Sequence, residues 1–107
     1  MSVKIINVLV GNNLNAIVKG GKNVNAVVTL KPKDAMPQTT PQIPGGRGYG
    51  PFSLEYNSQE LELTISVYAN HLGSAETIVV IPVNANTLSI DLEGTHNGKI
   101  DIQTSFK

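Results

Sequence analysis

The chain has 107 residues, eight basic and eight acidic side chains, zero net charge and no cysteine. That length holds one domain, 1–107, with a core that needs no metal or disulfide support, and the absent thiols exclude disulfide frameworks, zinc ribbons and cysteine nucleophiles. Scattered lysines and a single arginine, Arg47, argue against nucleic acid as a partner, because phosphate neutralisation calls for a basic excess or stripe.

No segment nears the ~20 apolar residues of a membrane span, and residues 1–11 lack the apolar run of a signal peptide. Cytoplasmic synthesis is therefore expected, with release as part of a virion or another assembly still compatible. Only 15% of residues are charged, against about 25% in ordinary soluble domains. A surface with little charge and no net repulsion is poorly protected against association. Eleven asparagines help fill the polar quota, a habit of β-proteins with many tight turns.

Residues 3–10 open the chain with apolar side chains at both parities: Val3, Ile5 and Leu9 on one face, Ile6, Val8 and Val10 on the other. This predicts a strand whose second face needs cover, and Ile6, Val8 and Val10 are assigned to an interface. A local duplication follows, Asn13-Leu14-Asn15-Ala16-Ile17-Val18 and Asn23-Val24-Asn25-Ala26-Val27-Val28 around Gly20-Gly21. It reads as a hairpin, since two copies of ten residues are too few and too short for a solenoid. Residues 32–51 hold five of the six prolines together with Gly45, Gly46, Gly48 and Gly50. Proline cannot feed a ladder, so an extended arm or long loop is expected, with a role in function or partner binding. Its Gly-rich part displays Arg47 beside Tyr49, two residue types enriched in binding hot spots.

Period-two alternation then predicts strands at 52–56, with Phe52, Leu54 and Tyr56 inward, and at 61–67, with Leu61, Leu63, Ile65 and Val67 inward. Parity pairs them as a hairpin: Tyr56 opposite Leu61, Leu54 opposite Leu63, Phe52 opposite Ile65. Tyr68 ends the second strand facing outward. Residues 77–83 again carry apolar side chains at both parities, and Ile78 and Val80 are assigned to the interface. The strands at 88–92 and 100–106 close the chain. Parity excludes a two-residue Asn97-Gly98 turn between them and favours the three-residue loop His96-Asn97-Gly98, which sets Leu92 opposite Ile102, Ile90 opposite Thr104 and Glu93 opposite Asp101.

His71 and His96 both sit in turn contexts without a carboxylate or second histidine at ligand spacing. No nucleophile elbow, phosphate loop or dinucleotide fingerprint is present. The acidic set Asp91, Glu93 and Asp101 reads as a solvated face. No catalytic residue, metal or cofactor is assigned, and the chain is read as non-enzymatic. The expected fold is all-β: an antiparallel β-sandwich of about seven or eight strands, a jelly roll being one form of it, with one long Pro/Gly-rich loop. The leading function is a structural subunit that forms a homo-oligomer or decorates a larger particle as a coat, tail, fibre or filament component. The alternative is a lectin-like module binding carbohydrate or another ligand through Arg47, Tyr49 and Tyr68; insertion of the Gly-rich loop into a protein cleft is a third.

Overall fold

The computed structural model describes residues 4–14, 25–33, 35–68, 74–94 and 100–107. They form an all-β protein of eight strands: β1 (Lys4–Asn12), β2 (Asn25–Pro32), β3 (Gln38–Thr39), β4 (Gly48–Tyr56), β5 (Glu60–Tyr68), β6 (Ser74–Val80), β7 (Thr87–Gly94) and β8 (Ile100–Phe106). One four-stranded sheet has the order β4-β1-β7-β8 and the other β3-β2-β5-β6. The two sheets share a single core. Ile6, Val8, Leu54, Leu88 and Ile90 of the first and Val28, Leu30, Leu61, Leu63 and Ile65 of the second are all fully buried in it. Each such side chain contributes about 1.5–3 kcal/mol of transfer free energy.

The alternating pattern assigns the inward faces of most strands correctly, with Leu54, Tyr56, Leu61, Leu63 and Ile65 buried as expected. The predicted pairing of 52–56 with 61–67 is not formed. β4 pairs with β1, and β5 pairs with β2 and β6, so the chain at 57–59 crosses from one sheet to the other. Alternation says which face is apolar, and both a hairpin and a crossing satisfy it. The last hairpin has the predicted register, Leu92 with Ile102, Ile90 with Thr104 and Glu93 with Asp101; its loop, 95–99, lies outside the described residues. The first sheet is also not antiparallel throughout, because β1 and β7 run parallel. β1 sits between two strands that the chain reaches only after visiting the other sheet, so no hairpin dictates its direction.

One further expectation falls on residues that are not described, and another is corrected. Residues 15–24, most of the predicted duplication hairpin, lie outside the described residues. Its second half forms the start of β2, whose edges are both taken, by β5 on one side and by Thr39, Thr40 and Ile43 on the other. Ile6, Val8 and Val10, assigned to an interface, are core residues at 0%, 0% and 3% exposure. Their neighbours across the sheet decide this. Val8, Val10 and Asn12 register with Leu88, Ile90 and Leu92, and Ile6 with Leu54, whereas Asn7, Leu9 and Gly11 register with Thr87, Ser89 and Asp91. The outward apolar residues of β1 are Ile5 and Leu9, separated by Asn7.

Candidate functional site: one strapped side and one open side

Residues 32–51 are not a free arm. They run along one side of the molecule and close it. β3 adds to β2 through Thr29–Thr39 and Leu30–Gln38. The Val28 N–H donates to the Thr40 Oγ1 at 3.0 Å, and Ala26 and Ile43 exchange backbone bonds at 3.0 and 2.8 Å. Ile43 lies 1% exposed in the shared core. Gln38, on the edge of one sheet, donates its Nε2 to the Ser53 carbonyl on the edge of the other at 3.0 Å. The fold thus resolves the entropy problem of a proline-rich segment by giving it ladder bonds, one core anchor and a link between sheets.

Asn12 fastens the same segment to the end of β1. It is fully buried. Its Nδ2 donates to the Ile43 carbonyl at 2.8 Å and its Oδ1 accepts the Leu14 N–H at 3.0 Å. Its backbone carbonyl accepts the Gly46 N–H at 2.6 Å, and its N–H donates to the Arg47 carbonyl at 2.9 Å. β4 then enters with a bulge. Val8 pairs with Phe52 but Val10 pairs with Tyr49, leaving Gly50 and Pro51 opposite Leu9 alone. Gly50 has φ +113°, and a Cβ there would lie 2.5 Å from the Val8 carbonyl oxygen, so only glycine fits. The bulge turns Tyr49 towards Phe52, with ring centroids 5.6 Å apart at 46°.

These contacts place the predicted binding residues. Arg47 is exposed in the turn before β4, and among the described residues its guanidinium meets no carboxylate. Tyr49 is 39% exposed and partly spent on Phe52. Tyr68 registers with Asn25, whose Nδ2 donates to the Gln42 Oε1 at 3.3 Å, so the backbone brings Tyr68 to the same end of the molecule. Its side chain lies outside the described residues, as do His71 and His96. Arg47 and Tyr49 belong to the anchored segment. Asn12 and Ile43, the residues that build this side, carry no sequence signal: one is an asparagine among eleven, the other an isolated apolar residue between prolines.

The opposite side has one buried anchor, Ile81, and no strap along its edges among the described residues. It is bounded by β6 and β8, each paired on one edge only among the described residues. The inward residues of the internal strands are fully buried, but those of these two edges are not: Ala75, Thr77 and Val79 on β6 and Ile100, Ile102, Thr104 and Phe106 on β8 are half-buried. Outward on β6 stand Ile78 and Val80, 65% and 62% exposed, followed by Val83 at 70%. Ile81, between them, turns inward and is buried, held by reciprocal bonds with Gln59: its N–H donates to the Gln59 carbonyl at 2.8 Å, and Gln59 Nε2 donates to its carbonyl at 2.9 Å.

Beside Ile78 the outer face of this sheet carries a shallow groove of about 230 Å³ lined by Lys31, Pro32, Lys33, Glu60, Glu62 and Ile78. Lys33 and Glu60 meet across it at 3.6 Å, both more than half exposed. Such a pair contributes little to stability. Asp91, Glu93 and Asp101 lie outward on the other sheet, where Gln103 Nε2 donates to Asp101 Oδ2 at 3.1 Å. Comparison with protein-family models, curated proteins and solved structures returns no match.

Proposed function

We propose that this protein is a non-enzymatic structural subunit that works by association with copies of itself, its two sheets packed as a β-sandwich. The open side supports this reading. Edge strands present unpaired N–H and C=O groups, and proteins that remain monomeric blunt them with short strands, proline, lysine, bulges or a covering loop. This chain uses those devices on its strapped side. β3 has two residues, β4 carries Pro51 and a bulge, and residues 32–51 cover the flank. β6 and β8, seven residues each, contain neither proline nor lysine. Ile78 and Val80 stand beside that bare edge, and Val79, Ile102 and Phe106 are half-buried beneath it. A neutral, sparsely charged surface adds no repulsion to oppose contact.

Placement within a coat, tail, fibre or filament, alone or on a larger particle, is the setting in which a subunit of this kind would serve. Carbohydrate recognition through Arg47, Tyr49 and Tyr68 has no comparable support, since sugar stacking wants an open aromatic platform and the Tyr49 ring leans on Phe52. Size-exclusion chromatography with light scattering, followed by negative-stain microscopy, tests the proposal. Dimers, rings or filaments at micromolar concentration are expected. A monomer across the whole accessible range overturns it.

A further inference from the structure

Resting on the self-association reading, we infer that two copies join by pairing β6 with β6 antiparallel about a two-fold axis at Thr77, merging two four-stranded sheets into one of eight. The direction of the backbone groups carries the argument. β5 and β6 pair as Glu60 with Val80, Glu62 with Ile78 and Thr64 with Glu76, and the Ile81 N–H donates to the Gln59 carbonyl. In an antiparallel ladder hydrogen-bonded and non-hydrogen-bonded pairs alternate. The N–H and C=O groups of Ala75, Thr77 and Val79 therefore face β5, and those of Ser74, Glu76, Ile78 and Val80 face the free edge. The same four residues have exposed side chains.

A strand that meets its own copy antiparallel pairs residues of constant sum, and the choices here are few. An axis at Thr77 sets Ser74 against Val80 and Glu76 against Ile78 of the second copy, overlaps all seven residues, and satisfies every outward N–H and C=O of both strands. An axis at Glu76 would oppose two carboxylates directly, which destabilises a sheet pair. An axis at Ile78 would bring Ser74 against Pro82, which has no N–H to give. In the Thr77 register the two exposed Ile78 side chains become diagonal neighbours across the axis, and Val79 lies over Ala75 of the second copy, covering apolar surface that is half-open in the monomer.

β8 is the competing edge, and its charge disfavours it. Its outward residues are Asp101, Gln103 and Ser105, backed on β7 by Glu93, Asp91 and Ser89, so that self-pairing there would gather six carboxylates on one face. Behind β6 stand Lys31 opposite Glu62 and the Lys33–Glu60 pair, charges of both signs that cancel locally.

Because the chain contains no cysteine, single-cysteine variants of the full chain test the register directly. Thr77→Cys would place two thiols at a non-hydrogen-bonded pair on the axis, at the ~4.5 Å Cα separation of such sites, which lies within the disulfide range. Under mild oxidation Thr77→Cys is expected to form covalent dimer about a thousandfold faster than Ser105→Cys on β8, the ratio of a millimolar effective concentration to a micromolar bulk one. Equal slow rates, with a wild-type protein that is oligomeric by light scattering, would overturn the β6 pairing and leave self-association standing through another surface. Faster crosslinking of Ser105→Cys would move the contact to β8. A monomeric wild type together with slow crosslinking would remove both. Should Thr77→Cys fail to fold, Ile78→Pro carries the test: it deletes one outward N–H and spares the ladder to β5. It is expected to release monomer with an unchanged far-ultraviolet circular dichroism spectrum, and an unchanged oligomer size would overturn the pairing.

Discussion

The two flanks of this molecule solve the same problem in opposite ways. On the β3–β4 flank, a segment too rich in proline and glycine to make a strand of any length is threaded across the gap between sheets. It buries Ile43, satisfies the buried amide of Asn12 and links the sheets through Gln38 and Ser53. On the β6–β8 flank the chain passes between the sheets only at the end of β6, where Ile81 is buried, and beyond it two seven-residue edges with β-favouring side chains stand beside a core that is only half closed. A closed flank is held by anchors inside one chain, and under the proposed self-association an open one is completed by addition. Stability and association should therefore be separable by mutation, with each flank governing one of them.

The largest effect on stability is expected at the strap's core anchor. Ile43→Ala removes a fully buried side chain from a segment with no other apolar anchor and should cost about 2–5 kcal/mol, read as a lower urea midpoint at unchanged slope. Asn12→Leu comes next. It strands the Leu14 N–H and leaves the Ile43 carbonyl with only its bond from the Ala26 N–H, and an unsatisfied buried group costs about 1–3 kcal/mol. Gly50→Ala should cost about 1–3 kcal/mol through a positive φ and the approach to the Val8 carbonyl. None of the three touches β6, so each should leave the association constant of the folded protein where it was, measured by sedimentation below the unfolding transition. A strap variant that kept its stability and lost its oligomer would reverse the roles assigned to the two flanks.

These anchors also mark where sequence reading stops. Inward faces were legible at β4, β5, β7 and β8 because alternation with one polar parity admits a single solution. β1 has apolar residues at both parities, and its own residues could not choose. The choice is made by Leu88, Ile90 and Leu92, which reach β1 through a parallel pairing that no local signal announces. The same limit applies to neighbours. The β7–β8 register was recoverable because the two strands, adjacent in sequence, pair as a hairpin, while the still shorter connection after Tyr56 crosses between sheets and breaks an equally good parity match. The strap was legible as irregular and invisible as an anchor, since Ile43 has no periodic partner and Asn12 gains its meaning only from the carbonyl that folding brings to it. Ile78 and Val80 were legible as apolar residues on a second face, and their exposure is what the fold adds.

The smallest expected change in stability belongs to the open flank, and it sharpens the comparison most. Ile78→Lys and Val80→Lys replace side chains that are already about two-thirds exposed, and their backbone ladder to β5 is untouched by what the side chain carries. Lysine is a good edge residue because its stem can lie along apolar surface while its charge stays in water. The double variant should therefore unfold within about 0.5 kcal/mol of the parent monomer, the usual range for surface changes away from special features. Its effect on association should be far larger. In the Thr77 register each lysine at position 78 would stand directly opposite Glu76 of the second copy, an attraction of about a few tenths of a kcal/mol, so the loss is carried by the apolar contact that Ile78 and Val80 give up at the seam and by the hydration that the lysine ammonium groups keep there. Light scattering should show monomer at concentrations where the parent is assembled. If the double variant instead kept the parent's size at low salt, the bare edge of β6 would have to be a solvated surface, and the half-open core beside it a cost this fold tolerates.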